Sequence, residues 1–315
     1  MRTRPSSSPS NPMPSAPKRE VHQSVLLQES ILALSIKKSD TVVDATLGGA
    51  GHALSIAKQL GPKGTLVGFD LDAAAITRAE KALAQANCKT LFIEANFRAL
   101  EKELTERGIT SIDSALFDLG WSSFQLEVNR GFSFKKDEPL LMTYTMNSDS
   151  AAITAAIIVN EWEESSIADI LFGWGEERYS RRIAKAIVER RDSRLFETSS
   201  DLAEVIKSTV PRAYAFGRIH PATRAFQALR IAVNDELGAL EVGLKSCFSL
   251  LNPGGRIAVI SFHSIEDRVV KRHFRELEER GLAKRITKKP LTPASDELQH
   301  NPRSRSAKLR ILEKL

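Results

Sequence analysis

The chain has 315 residues, 42% of them hydrophobic and 27% charged, enough for one large or two ordinary domains and too apolar for wholesale disorder. No apolar run approaches the roughly 20 residues that span a bilayer, and the opening Met1-Arg-Thr-Arg-Pro-Ser lacks the apolar stretch of a secretory signal, so a cytoplasmic protein without membrane attachment is expected. The net charge of +6 is uneven: residues 268–315 carry 14 basic against 6 acidic side chains, while residues 20–267 carry 27 against 33, which points to a polyanion met at one edge, with a solubilising surface as the plain alternative.

In chain order, residues 1–20 hold five of the 13 prolines and almost nothing to bury, and read as a disordered leader. Leu27, Ile31 and Leu34 share a helical face, which predicts a helix over 24–35. Strands and helices then alternate. Thr41–Asp44 predicts a short strand feeding Gly48-Gly49-Ala50-Gly51, a helix reaches Leu60, and Thr65–Asp70 is a second strand. Asp72 caps an alanine-rich helix over 73–86, Lys89–Glu94 is a third strand, 97–107 a helix, and Ile112–Asp118 a fourth strand. This is the rhythm of βαβ units on a parallel sheet. Past Asp118 the chain is irregular to about 150 and helical to 215, which reads as a helical insertion. Helical spacing resumes from Thr223 to Leu251, and Asn252-Pro-Gly-Gly255 turns the chain. Residues 256–262 are a fifth strand, 266–280 a charged helix, and 308–315 a final edge strand. Cys88 and Cys247 have neither metal-ligand nor disulfide-scaffold spacing and read as core residues.

Three carboxylates fall at strand ends: Asp44, Asp70 and Asp118. The glycines after the first strand let backbone approach a ligand, at the turn where doubly wound sheets bind nucleotides. Asp70 can accept both hydroxyls of a ribose, and Asn96-Phe97 can flank a purine. Two cofactor classes fit a nucleoside there, a dinucleotide and S-adenosylmethionine. The dinucleotide fingerprint fails in both registers, with Leu54 at the sixth position counted from Gly49 and Ala50 at the third counted from Gly48. What remains suits one ribose and an amino-acid tail. A tight turn at the glycines and a helix cap at Asp70 are the plain alternative.

The remaining motifs are Asp118-Leu-Gly-Trp-Ser-Ser-Phe-Gln125, Arg130-Gly-Phe-Ser-Phe134, His220-Pro-Ala-Thr-Arg-Ala-Phe-Gln-Ala-Leu-Arg230, Val233-Asn-Asp-Glu-Leu237, Ser261-Phe-His-Ser-Ile-Glu-Asp-Arg268 and Asn301-Pro-Arg-Ser-Arg-Ser306. In this order, between about His22 and Ile311, they resemble the RsmH (MraW) family, bacterial methyltransferases acting on N4 of cytidine 1402 in 16S ribosomal RNA. The resemblance implies an α/β fold: a Rossmann-like class I methyltransferase core over 21–125 and 216–315, with 126–215 inserted as a mainly helical substrate-recognition domain. It implies S-adenosylmethionine as methyl donor, 16S rRNA within the small ribosomal subunit as partner, and no metal. Carried over residue by residue, it puts cofactor contacts at Ala50, Gly51 and His52, the ribose at Asp70, the adenine at Phe97, and Asp118 and Gln125 near the transferred methyl. One stretch departs: the family's Leu-Asp-Met-Arg-Met reads Leu140-Leu-Met-Thr-Tyr-Thr-Met146, without the acid or the arginine. That departure keeps open a second reading, a catalytically inert rRNA-binding or subunit-assembly factor on the same fold. The oligomeric state is left open.

Methyl transfer from a sulfonium is an in-line displacement, so the protein mainly positions and desolvates. The exocyclic amine of cytosine is a poor nucleophile, and acceptors on its N–H groups return lone-pair density to nitrogen. Asp118, with the Leu119 carbonyl, is the candidate catalytic acceptor; holding the cofactor is its alternative role. Trp121, Phe132 and Phe134 can stack an extruded base, although the alternation of the two phenylalanines equally suits a buried strand face. His263 reads as a phosphate or base contact, or as a locally satisfied histidine without zinc-spaced partners. His220 reads as a helix-start residue. Arg224 and Arg230 lie i, i+6 apart, and one of them is free to face RNA. Lys271, Arg272, Arg275, Arg303, Arg305, Lys308 and Arg310 are the candidate phosphate contacts.

Overall fold

The computed structural model describes residues 23–120, 129–144 and 153–315. Five strands run parallel: β1 (Thr41–Asp44), β2 (Thr65–Asp70), β3 (Lys89–Glu94), β4 (Ile112–Asp118) and β5 (Leu251–Ser261). With β6 (Ala283–Arg285) and β7 (Lys308–Lys314) they form one sheet of order β3-β2-β1-β4-β5-β7-β6, in which β7 is antiparallel to both neighbours.

The central strands are nearly continuous apolar runs because both faces of the sheet are covered. Alternate residues serve opposite cores. Val42, Leu66, Leu116, Ala258 and Ile260 pack against α1 (Leu27–Leu34), α2 (Gly51–Gln59) and α3 (Ala73–Leu83). Val43, Val67, Ala115, Phe117, Ile257 and Val259 pack on the other side, against α4 (Leu100–Glu106) and two long helices from later in the chain. Asp72 caps α3, its Oδ1 accepting from the Ala74 N–H at 3.0 Å.

A third core lies apart from the sheet. It gathers Phe132, Leu140 and Met142 with α5 (Ala155–Glu161), α6 (Glu164–Gly173), α7 (Ser180–Arg191), α8 (Ser199–Thr209) and the first turns of α10 (Ala222–Asn234). The one-turn α9 (Arg212–Ala215) sits at its edge. Thr154 and Thr198 cap α5 and α8, accepting from the amides of Ile157 and Asp201. This core therefore reaches past residue 215 as far as Leu229. The chain returns to the sheet through α11 (Glu236–Leu250) and α12 (Ser264–Glu279), with a short α13 (Ser295–His300) before β7. Among the described residues no helix is long and apolar enough to cross a membrane.

Three elements differ from the sequence reading. Residues 308–315 do not form an edge strand: β7 sits between β5 and β6, and the three-residue β6, two of them charged, carries too little pattern to be read as a strand. The spacing over 223–251 is not one helix. Asp235 adopts a left-handed conformation (φ +46°), which aspartate tolerates better than most residues, and it separates α10 from α11. Residues 252–255 turn within a strand rather than before it: Leu251 already pairs with Ile112, the chain bulges, and pairing resumes with Arg256 opposite Ser114.

Candidate active site

The order of strands reverses between β1 and β4. In open α/β sheets ligands bind at the carboxyl ends of the strands on either side of such a reversal. A cleft of about 830 Å³, the open solvent at its mouth included, lies there. Asp70 at the end of β2 forms one wall. Its Oδ2 accepts from the Gly48 N–H (2.8 Å) and its Oδ1 from the Asp72 N–H (2.9 Å), so two amides fix the carboxylate. Burial nonetheless raises its pKa above the usual carboxylate value. Phe97 and Asn96 form another wall. The Phe97 ring meets Phe117 edge-on at 5.5 Å. It needs the absence of a side chain at Gly243, where a Cβ would lie 2.7 Å from the ring. A fixed acid for ribose hydroxyls and an aromatic edge for a purine make a nucleoside site.

A second, larger cleft of about 1480 Å³ adjoins the first, and both are lined by Thr46, Asp118, Leu119, Gly120 and Glu266. Phe132, Phe134, Phe226 and Arg230 line its far side, with Gln23, Arg303 and Ser306 also on its wall. Gly120 must be glycine: a Cβ there would lie 2.6 Å from the Phe262 ring.

Asp118 stands where the clefts meet. Its backbone N–H donates to Thr46 Oγ1 at 2.7 Å. Its carboxylate Oδ1 is buried without a hydrogen-bond partner among the described residues. Burial, then the charges of Asp44 and Glu266, push its pKa up to about 7. Asp44, fully buried at the end of β1, is pushed to about 7 as well, by burial and by Asp70. Asp118 and Glu266 share the wall of both clefts, with Asp44 buried behind them, while Arg78 acts on Asp70 and Arg230 on Glu266.

Asp118 Oδ2 lies 3.5 Å from Nδ1 of the buried His52. His52 Nε2 lies 3.1 Å from the Val25 carbonyl. A carbonyl only accepts, so Nε2 carries the ring proton. Nδ1 is thus the ring nitrogen that faces Asp118.

The altered stretch after Pro139 is well docked. Met142 is buried, and the Asn234 side chain clamps the loop, donating to the Met142 carbonyl (2.7 Å) and accepting from the Tyr144 N–H (2.9 Å). Arg130 Nη1 donates to the carbonyls of Thr143 (3.0 Å) and Tyr144 (2.8 Å). The Tyr144 hydroxyl donates to Glu236 Oε1 (2.8 Å), and the buried Arg230 grips both Glu236 oxygens at 2.7 and 2.9 Å. Tyr144, Asn234 and Glu236 all line the first cleft. Thr145 and Met146 lie outside the described residues.

Of the residues singled out in the sequence, Asp70, Phe97 and Asp118 come together on the first cleft, joined from the loop by Gly48. Ala50, Gly51 and His52 are not on its wall. Ala50 is buried in a left-handed conformation (φ +63°) at the start of α2, and Gly51 packs on Ser24. Gln125 and Trp121 lie outside the described residues. Phe132 is buried, while Phe134 stacks on His220 with centroids 4.3 Å apart; both phenylalanines line the second cleft. His220 Nδ1 also accepts from the Ala222 N–H at the start of α10 (3.2 Å). His263 caps α12 in a reciprocal box with Glu266, and its Nε2 lies 3.1 Å from Glu266 Oε1. Glu236, His263 and Glu266 bring potential ligand atoms within 4.8 Å of one another, but both Glu236 oxygens are held by Arg230 and Glu266 Oε2 by the helix cap.

The basic set divides. Arg310 is buried and holds Asp267 at 2.7 and 3.1 Å, with Lys308 at 3.5 Å from the same carboxylate. Arg310 is structural rather than a phosphate contact, because a buried side chain committed to a buried acid cannot also reach RNA, whereas Lys308 is partly exposed. Arg275 pairs with Glu279 at 2.7 Å. Arg303 and Arg305 are exposed on the 3-10 turn Pro302–Ser306, and Arg303 lines the second cleft. Sequence reasoning missed Tyr144, Asn234, Glu236 and Glu266. The last three sit inside recognised motifs, but nothing in the sequence says that the α10–α11 break turns Glu236 back onto Arg230.

The model of the MraW methylase family matches residues 19–315. The chain is 45% identical over 316 residues to a ribosomal RNA small subunit methyltransferase H from Paenibacillus sp. (strain JDR-2), covering 93% of this chain and 99% of that protein. It is 44% identical to the protein of the same name from Magnetococcus marinus, covering 93% and 98%. Among solved structures, an rRNA methylase from Streptococcus thermophilus matches at 14% identity and a TM-score of 0.44, covering 96% and 99%.

Proposed function

The chain belongs to the MraW methylase family, and from that premise we propose that it transfers the methyl group of S-adenosylmethionine to the N4 amine of a cytidine in small-subunit ribosomal RNA. The observation that carries this reading is the junction of two clefts at Asp118. One cleft is shaped for a nucleoside and rimmed by acids; the other is lined by aromatics and basic residues. The corresponding position in the family it resembles is cytidine 1402.

S-adenosylmethionine, when bound, supplies an electrophilic methyl group on a cationic sulfur. Asp70 would hold its ribose, Phe97 its adenine, and the backbone at Gly48 its amino-acid tail. Asp118, once ionised, and Glu266 on the wall of the cleft would favour the positive charge. In the second cleft Phe132 or Phe134 backs the extruded cytosine. Asp118 and the Leu119 carbonyl accept from the two N4 hydrogens, which draws lone-pair density onto nitrogen. Asp118 would take the proton that N4 sheds on methylation, with His52 Nδ1 at 3.5 Å from its Oδ2. Gln125 completes the site in the family pattern.

The inert assembly factor is not favoured. Its support was the missing acid and arginine after Pro139, yet the loop is anchored by Arg130 and Asn234 and delivers Tyr144 to the cofactor cleft. We extend the proposal to the insertion 126–215 as the part that recognises the small subunit, to Arg303 and Arg305 as phosphate contacts, and to a cytoplasmic location. The test is methyl transfer from labelled S-adenosylmethionine to small subunits lacking the modification, with the product nucleoside identified by mass spectrometry. N4-methylcytidine is expected. Binding of the cofactor without transfer would instead favour the assembly factor.

A further inference from the structure

The inserted helices end in a stretch that none of these roles uses. Between residues 205 and 220 the chain carries three basic side chains, Lys207, Arg212 and Arg218, and no acid. None of the three makes an ion pair among the described residues. In their midst Phe216 is 71% exposed and Ile219 57% exposed. Lys207 Nζ lies 5.5 Å and the Arg212 guanidinium 5.9 Å from the Phe216 ring centroid.

The ring is presented on a firm base. Tyr214, in α9, points the other way: its hydroxyl donates to Oε2 of the buried Glu177 (2.5 Å), and its ring meets Tyr179 edge-on at 5.0 Å. The Arg178 guanidinium covers the Tyr214 ring at 4.6 Å. The Phe216 N–H donates to the Arg212 carbonyl and the Gly217 N–H to the Tyr214 carbonyl, each at 3.1 Å, closing the turn. Four residues on, His220 stacks on Phe134 in the wall of the second cleft. Four residues span at most about 14 Å, so the backbone at Phe216 lies within that distance of the backbone at His220, which packs on the cleft wall.

An exposed aromatic face with two cations beside it and a third two residues on in the chain matches an unpaired nucleotide, whose base stacks while its phosphates meet the charges. A protein partner would seat the ring in an apolar pocket and has no need of like charges beside it. We infer that Phe216, with Lys207, Arg212 and Arg218, forms a stacking platform for an unpaired nucleotide of the ribosomal RNA flanking the extruded cytidine. The inference rests on the rRNA methylation proposed above and assigns the surface that steadies its substrate.

The test measures binding of small ribosomal subunits and of a short labelled oligouridylate to the full chain and to Phe216→Ala, Phe216→Trp and Lys207→Gln. Phe216→Ala is expected to weaken both by roughly 5–100-fold with an unchanged salt dependence, and Phe216→Trp to restore them. Lys207→Gln is expected to flatten the log–log salt slope by about 0.7. Calorimetric affinity for S-adenosylmethionine stays as in the parent in all three. Parent-like oligouridylate binding by Phe216→Ala overturns the inference; if subunit binding alone falls, the ring belongs to a ribosomal protein contact. Should the parent bind RNA through this ring yet leave the cytidine unmethylated, the methylation reading falls and the platform stands.

Discussion

Asp118 and Asp44 both keep their protons into the neutral range, because each is buried beside another acid. For catalysis this sets a condition: Asp118 accepts from N4 only when ionised, so turnover is expected to rise with pH through about 7. Asp118→Asn keeps the shape but cannot take the proton. It is expected to lower turnover by about 10²–10⁴ while calorimetry finds cofactor affinity nearly intact; equal losses in both would reduce Asp118 to a cofactor ligand. For stability the sign is opposite. An unfolded aspartate releases its proton near the model value of 3.8, whereas the folded groups hold theirs to about 7. Between those values the folded state binds more protons, so stability falls as pH rises and levels off above about 7. Asp44→Asn removes one such group. Its melting temperature relative to the parent should therefore climb between pH 5 and pH 8, and a constant offset would contradict this account. These single residues were partly legible. Asp70 and Asp118 announce themselves by falling at strand ends after a glycine turn, but the His52–Asp118 contact joins residues 66 positions apart and has no local signature.

At the scale of elements, the surprise is how charge is used. The helix α12 carries the candidate phosphate contacts Lys271, Arg272 and Arg275, and in its first turn the buried Asp267 faces Arg310 on β7. Arg310 alternates with Leu309 and Ile311, so it points to the same side as Leu312, into the core beneath α12. Arg310→Met would strand a buried carboxylate, with Lys308 at 3.5 Å only partly compensating. The expected cost is about 3–5 kcal/mol, measured by denaturant unfolding; pairing it with Asp267→Leu should recover much of the loss. Such a pair is invisible in sequence because 43 residues separate its members. The strands β1 to β4 were legible in full, since short apolar runs between helices of regular length admit few other readings. The break at Asp235 was not, because apolar spacing continues across it and a single left-handed residue leaves no periodic trace.

Taken whole, the molecule assembles its site from three remote parts of the chain: strand-end loops before residue 120, the docked loop ending at Tyr144, and the helix starts at Glu236 and Ser264. A linear pattern can name the first part, whose residues follow the sheet. It cannot show that the second cleft abuts the first, since that depends on how the third core leans on the sheet. The sheet itself depends on β7. Leu309, Ile311 and Leu312 are almost wholly buried, and β7 bonds to β5 on one side and β6 on the other. Removing residues 308–315 is expected to abolish cooperative thermal unfolding followed by circular dichroism; a truncated chain that still melts sharply would show that β7 is dispensable. The placement of this strand also bears on how the protein is made. While the chain emerges from the ribosome, β5 has its parallel partner long before its antiparallel one is synthesised. Throughout that interval the nascent sheet offers a bare row of amides and carbonyls, so translational pausing before codon 308 should make the polypeptide depend on chaperones that shield such edges.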